Sequence, residues 1–163
     1  MQQTKYPRES QVEMTELVLP QHTNAIGTVF GGVVMSWVDI AAAAAALRHC
    51  QKQVVTASVD AMNFLAPIKL GWIVTIRASI NYVGHASCEV GVKVLAANPL
   101  SGESFHTLSA YLTLVAIGSN GRPTSQIAAI EPENDDDRRR FEAAKIRRES
   151  RLALKLALKE QHP

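Results

Sequence analysis

Between Gln11 and Leu19, QVEMTELVL, apolar side chains alternate with polar ones at Val12 and Met14 and then at Leu17 and Leu19, which predicts a half-buried strand ending at Pro20. The next stretch, QHTNAIGTVFGG from Gln21 to Gly32, loses that rhythm. Its glycines and Asn24 suit a tight, irregular path that brings backbone close to something. VVMSWVDIAAAAAALRHC then runs without Pro or Gly and is rich in alanine, predicting a helix from about Gly32 to about Cys50. The consecutive alanines Ala41 to Ala46 keep that helix thin on every side, so other backbone can approach it closely.

β-Branched or alternating runs follow at Val54 to Ile68, Trp72 to Val83, Ser87 to Asn98 and Ser104 to Ile117. Short turn signals separate them, at Pro67 to Gly71, Gly84-His85, Asn98 to Gly102 and Ser119 to Pro123, so successive strands are expected to pair antiparallel as a meander. An alanine helix left on a flat sheet would stay naked, and the economical arrangement is a sheet curled around it. The fold class is therefore α+β: an antiparallel sheet of about five strands around a central Ala-rich helix. From Glu131 the composition changes, with Asn134 as a candidate N-cap, three aspartates in the first turn and many basic residues after them, the order a helix dipole favours. We divide the chain into a domain at 1–125 and a C-terminal helical extension at 126–163. The extension's Phe141, Ile146, Leu152, Leu156 and Leu158 form a broken stripe that could dock on its own body or on another subunit.

The 163 residues leave room for one domain of ordinary size, and a 47% apolar share against 20% charged excludes a disordered or collagen-like chain. Seventeen Lys and Arg against fifteen Asp and Glu are nearly balanced, so neither nucleic acid nor an anionic membrane is expected as a partner. Cys50 and Cys88 are too few for a disulfide scaffold and sit in no metal-binding spacing; they read as reduced thiols. The polar, acid-containing start MQQTKYPRESQVEMTE lacks the pattern of a signal peptide, which makes the cytoplasm the expected compartment. The longest apolar run, Val33 to Leu47, is interrupted by Ser36 and Asp39 and falls short of the roughly 20 residues that cross a membrane; a buried core helix is expected instead.

Asp39 stands out within this pattern. It lies amid Trp37, Val38, Ile40 and the alanines on a helix expected to be buried, and a carboxylate in such a place must be paired, hydrogen-bonded or used. The structural alternative is an Asp at a less-covered edge, paired with Arg48 or Lys52. Gly31 and Gly32 precede the helix, where free N–H groups can hold an anion or a developing oxyanion; equally, they could serve only to let the loop pass beneath the sheet. Gly32 and Asp39 are two turns apart, on one face and about 10 Å along the axis. Asn24 lies before the turn, where reaching Asp39 of the same chain is awkward, whereas two antiparallel copies about a two-fold axis could bring one copy's Asn24 to the other's Asp39. His22, His49, His106 and His162 show no metal spacing and read as core or surface residues.

The run His22-Thr-Asn24-Ala-Ile-Gly27-Thr-Val-Phe30-Gly-Gly32-Val-Val-Met35-Ser-Trp-Val-Asp39, with the alanine helix and Arg48-His49-Cys50 after it, resembles the hotdog-fold acyl-CoA thioesterases, in particular the cytosolic acyl-CoA hydrolase branch. Thr56 to Asp60, Asn63 to Ile68, Gly71, the Val83 to Ser87 turn, and Val115-Ala116 with Gly121-Arg122-Pro123 extend the likeness from about Ser10 to Pro123, leaving the C-terminal helix outside it. The resemblance implies hydrolysis of acyl-CoA thioesters to free fatty acid and CoA, without a cofactor or metal. The sites would be shared across a homodimer, with assembly onward to a tetramer or hexamer. The aspartate of the family motif, here Asp39, acts as general base or nucleophile, and the asparagine, here Asn24, positions the thioester or the water. The Gly31 and Gly32 amides would polarise the carbonyl, with Thr56 or Ser58 as supporting donors. One departure is Trp72, where many relatives carry an acid after the glycine. Arg122, His85 and Lys93 are candidates for the CoA phosphates, against a solvated surface role for each. Two alternatives accompany this expectation. A hotdog hydratase would need a histidine beside an acid, and a non-catalytic acyl-CoA sensor would normally join the fold to a DNA-binding element. Neither signature is visible. No single side chain sets the acyl length.

Overall fold

Val74, Ile76, Ala78 and Ile80 recur at every second position, as do Val90, Val92, Val94 and Ala96, and again Leu108, Ala110, Leu112, Leu114 and Ala116. Each row must line one face of its strand, and in the computed structural model, which describes residues 4–161, all three rows are buried. In chain order the elements are β1 (Thr4–Lys5), α1 (Pro7–Ser10), β2 (Val12–Leu17), a 3-10 turn at Pro20–His22, α2 (Gly31–Cys50), β3 (Gln53–Phe64), β4 (Ile73–Val83), β5 (Ser87–Ala97), β6 (Ser104–Ile117), β7 (Ala129–Ile130) and α3 (Asp135–Gln161). Of the histidines singled out above, His162 lies outside the described residues.

The main sheet is antiparallel, in the order β2-β4-β5-β6-β3. β4, β5 and β6 form the expected meander, but β3 pairs with β6 rather than with the strand that follows it. The reason lies in the link from Leu65 to Trp72. Pro67 offers no N–H to a hairpin ladder, and the link bonds elsewhere: Ile68 O accepts from Val29 N, Gly71 N donates to Val18 O, and Trp72 O accepts from Val18 N. The link therefore crosses from one edge of the sheet to the other, where Trp72 stacks on Phe105 with ring centroids 5.5 Å apart.

α2 lies on the apolar face with Ala41, Ala42, Ala45 and Ala46 fully buried. By length and composition alone it could cross a membrane, yet half of that stretch is buried inside the chain, as suits a core helix. Gln51 ends it in the left-handed conformation (φ 51°) with its N–H bonded to Leu47 O. The buried Lys5 ammonium donates to Arg48 O (3.3 Å) and His49 O (2.8 Å), setting a cation on the negative end of the helix. The stretch after residue 125 is tied into the same body: Ile127 is buried, and β7 runs parallel to β1.

α3 packs against the opposite face of the sheet. Asn134 caps it, accepting from Asp137 N at 2.9 Å. Phe141 meets Tyr82 at 5.3 Å between ring centroids, and Arg147 donates twice to Glu89 (3.1 and 2.7 Å) while lying 3.6 Å over the Tyr111 ring. Glu89 also accepts from Asn81 (3.1 Å); a Cβ on Gly91 would stand 2.5 Å from Asn81 Nδ2, so this buried cluster requires glycine there. Arg151 pairs with Asp60. The stripe expected on this helix is thus divided: Phe141 docks on the body, whereas Ile146, Leu152, Leu156 and Leu158 are exposed.

Removing Arg147 would leave the Glu89 carboxylate, 3% exposed, without its cation. Arg147→Met is expected to cost about 3 kcal/mol in urea unfolding, and adding Glu89→Gln should recover most of that loss. A second expectation concerns acid. His49 Nε2 donates to Ala128 O at 2.8 Å, so the neutral ring carries its proton there, and Nδ1 is buried without a partner. Burial lowers the imidazole from its ordinary value of 6.5 against the pull of the Ala128 hydrogen bond, and the Lys5 charge lowers it further. A group depressed in this way contributes stability above its unfolded value and loses it as pH falls, so urea midpoints should drop below about pH 6.5, and less steeply in His49→Gln.

Candidate active site

The loop before α2 is built around the Asn24 side chain, which accepts from Ile26 N (3.1 Å) and Thr28 N (3.2 Å) and donates to Thr28 Oγ1 (3.0 Å). Gly27 supplies the positive φ of 77° that closes this turn, and Thr23 bridges to Val29. Phe30 N then donates to His22 O (2.9 Å), while His22 Nδ1 accepts from Leu19 N and its ring stands edge-on to Trp37 at 5.2 Å. The loop thus delivers the chain into α2 with Phe30 as the N-cap and no side chain capping it.

That entry leaves the first amides open. Val33 N returns to Phe30 O, but among the described residues the N–H groups of Gly31 and Gly32 meet no acceptor. Two aromatic rings flank them: a Cβ on Gly31 would lie 3.7 Å from Phe64 Cζ, and one on Gly32 only 2.5 Å from Phe30 Cε1. Beside Gly31 opens a groove of about 340 Å³, lined mainly by apolar side chains such as Val29, Val34, Phe64 and Ile68.

Two turns further along, Asp39 Oδ1 accepts a 2.6 Å hydrogen bond from Thr56 Oγ1 on β3. Neither Arg48 nor Lys52 pairs with it; Arg48 reaches back to Gln11 O. The expected burial of Asp39 is corrected here, because in a single chain this carboxylate is exposed. The sheet covers only one side of α2, and the far side carries Asp39 among the exposed Met35, Ile40 and Leu47, with the exposed Val59 on the same face of the edge strand β3 as Thr56. An apolar face of this extent with a hydrogen-bonded carboxylate at its centre is the mark of a surface that another chain covers.

The other candidates divide. Asn24 bonds only within its own loop, and no hydrogen bond joins it to Asp39 among the described residues. Ser58, two residues after Thr56, would normally share its face. A bulge between them leaves Thr56 opposite Leu114 but Ser58 opposite Thr113, on the other face, where Ser58 bonds Asp60. His85 sits in the β4–β5 turn, Arg122 in the loop after β6, and Lys93 pairs with Arg77 and Ser109 in mid-sheet, so one chain does not gather them. Among the described residues no three His, Cys, Asp or Glu side chains cluster as metal ligands would. Sequence reasoning missed Phe64 and Phe30 as walls of the glycine pair. The role of Phe64 comes from the crossing of β3 past the helix start, which no strand-end aromatic signals, and that of Phe30 from its ring lying over the first turn of the helix that it caps.

The arrangement supplies a carboxylate that can take a proton from water or attack directly, backbone donors at a helix N-terminus for negative charge, and an apolar groove beside them. Residues 26–102 match the family model of the thioesterase superfamily. The uncharacterized acyl-CoA thioester hydrolase YkhA of Bacillus subtilis is 38% identical over 135 residues, covering 83% of this chain and 78% of that protein. An acyl-CoA hydrolase from Staphylococcus aureus, solved in complex with butyryl coenzyme A, coenzyme A and coenzyme A disulfide, superposes with a TM-score of 0.89 at 35% identity, covering 97% of this chain and 96% of that one. Structures of that hydrolase with an Asp, an Asn or a Thr replaced by Ala are similar too. An apo-hexameric acyl-CoA thioesterase also superposes with a TM-score of 0.89, at 35% identity over 93% of this chain and 96% of that one.

The uncovered face predicts that the purified chain is no monomer. Light scattering should return at least twice the chain mass of 17.7 kDa, and Ile40→Glu, which sets a charge in the middle of that face, should shift the population toward single chains.

Proposed function

The chain belongs to the hotdog-fold acyl-CoA thioesterases of the thioesterase superfamily, and on that footing we propose that it hydrolyses acyl-CoA to a free fatty acid and coenzyme A at a site shared by two copies, Asp39 from one and Asn24 from the other. The carrying observation is the Asp39 carboxylate, held by the Thr56 hydroxyl at 2.6 Å in the centre of an uncovered apolar face. A second copy laid antiparallel on that face excludes water from around the carboxylate. It also brings the open Gly31 and Gly32 amides of one α2 toward Asp39 of the other.

In this reading the thioester carbonyl oxygen lies against the glycine amides, whose dipoles face the charge that develops on it. Asp39 either draws a proton from a water that attacks the carbonyl carbon or attacks that carbon itself. By either route the C–S bond breaks and the coenzyme A thiolate departs, and on the second route water then cleaves the anhydride formed on Asp39, which releases the fatty acid and restores the carboxylate. Thr56 donates to one carboxylate oxygen and leaves the other for the reaction, and Asn24, fixed by its own loop, orients the thioester or the water. Asp39, Asn24 and Thr56 are of the three residue types replaced in the Staphylococcus aureus variants, which supports assigning these roles to them. The hexameric relative supports assembly beyond the pair. Arg122, His85 and Lys93 could meet the coenzyme's phosphates only where copies adjoin, and the cytoplasm is the compartment this chemistry implies. His22 is committed to Leu19 N and Trp37, which weighs against the paired acid and histidine that a hydratase needs.

Thiol release from acyl-CoA tests the proposal. Asp39→Asn is expected to lose roughly a hundred- to ten-thousand-fold in turnover while unfolding like the parent, and undiminished turnover removes Asp39 from the mechanism. Mixing inactive Asn24→Ala with inactive Asp39→Asn chains should restore about one good site per mixed dimer if the residues meet across copies. No recovery on mixing would place both within one chain.

A further inference from the structure

α3 meets the strands of the sheet one after another. Phe141 touches Tyr82 on β4, Arg147 reaches Glu89 on β5 and Tyr111 on β6, and Arg151 pairs with Asp60 on β3, so its contacts follow the order β4-β5-β6-β3. Phe141 to Arg151 is about 15 Å of helix, and three strand spacings are about 14 Å, so the helix runs across the strands and stands over the edge strand at Arg151. It nevertheless continues to Gln161, about 15 Å further, the width of three more strands that this chain does not possess.

This overhang keeps an apolar docking face. Ala144, Arg147 and Arg151 lie on the sheet, and steps of three and four residues carry the same stripe on to Leu154 and Leu158, which are 61% and 51% exposed. At the same edge of the sheet a matching surface is bare. Thr56 faces α2, so Val55 before it points to the α3 side; it is 50% exposed and pairs in register with Val115 of β6. β3 has β6 on one side only, and its other row of backbone groups is open to a further strand.

We propose that the overhang is an arm for a second copy of this chain: Leu154 and Leu158 seat on the partner's Val55 and Val115, and the same contact forms in reverse about the two-fold axis. The inference rests on the two-copy site proposed above and gives that pairing a second hold on the other side of the sheet. The occupant follows from position, because the arm leaves the chain over β3, the strand whose Thr56 holds Asp39, where the second copy has to come. With the two β3 edges side by side, the partner's sheet supplies the strands that the helix lacks. The register is consistent as well. Asp60, where the arm leaves, and Val55 are five residues apart on β3, so antiparallel strands related by a two-fold midway between them carry each arm over the other's Val55.

Subunit exchange between light and heavy-isotope assemblies, followed by native mass spectrometry, reads this hold. Leu154→Glu and Leu158→Glu, made singly, put a good helix former on an exposed helix, so circular dichroism should match the parent while exchange runs roughly tenfold faster. Leu156→Glu is the control: Leu156 is 62% exposed but lies on the opposite side of the helix, and its variant should exchange at the parent's rate. A photoreactive benzoylphenylalanine placed at position 158 should cross-link light chains to heavy ones, at the segment carrying Val55 or Val115. The proposal is overturned if both leucine variants exchange like the parent, if Leu156→Glu loosens the assembly as much as they do, or if the cross-link stays within one chain. Failure of the shared site reads differently: Asn24→Ala and Asp39→Asn chains then do not complement on mixing although position 158 still cross-links between copies. A parent that stays monomeric overturns both.

Discussion

Close approach between α2 and the sheet is the constraint on which the remainder of the molecule depends. Ala41, Ala42, Ala45 and Ala46 carry no side chain beyond Cβ, so the helix axis settles against the apolar rows of β4, β5 and β6 nearer than leucines would permit. That proximity fixes where the two ends of the helix fall. The glycine end emerges under the Leu65 to Trp72 crossing and the Phe64 ring, and the Cys50 end emerges beside β5 and the Lys5 ammonium. A bulkier residue at any of these four fully buried alanines would push the helix off the sheet and, because the helix moves as a rod, displace both ends together.

The two faces of the sheet are held by different physics. The inner face is dry and apolar. The outer face binds α3 through Glu89, Asn81, Arg147 and Arg151, charges whose partners are close enough to offset much of their desolvation. The division leaves the reactive side unencumbered: α3 makes its contacts on the face away from Asp39 and Thr56, and Ser58, turned outward by the bulge, lies on the α3 side.

Local periodicity carried much of this into the sequence. The alanine helix, the β4–β5–β6 meander and the Asn134 cap could each be read from residues a few positions apart, because backbone sterics and alternation act at that range. What escaped has a longer reach. β3 joins β6 because the segment after it bonds to Val18 and Val29, far away in sequence, and no local signal records that choice. Asp39 read as buried because its neighbours on the helix are apolar, but apolar neighbours alone do not say whether the chain or a second copy covers them. Thr56 and Ser58 were expected alike as supporting donors, and the bulge that sets them on opposite faces went unread, since a single extra residue in an edge strand leaves no compositional trace.

α2 behaves electrically as a rod with one pole already answered. Lys5 neutralises its carbonyl end, so the unspent pole is the one at Gly31 and Gly32. From Gln21 to Ile40 the chain has neither lysine nor arginine. Attraction for electron-rich groups at that end is therefore written into the main chain itself, a source that does not titrate and that side-chain substitution in the loop cannot erase.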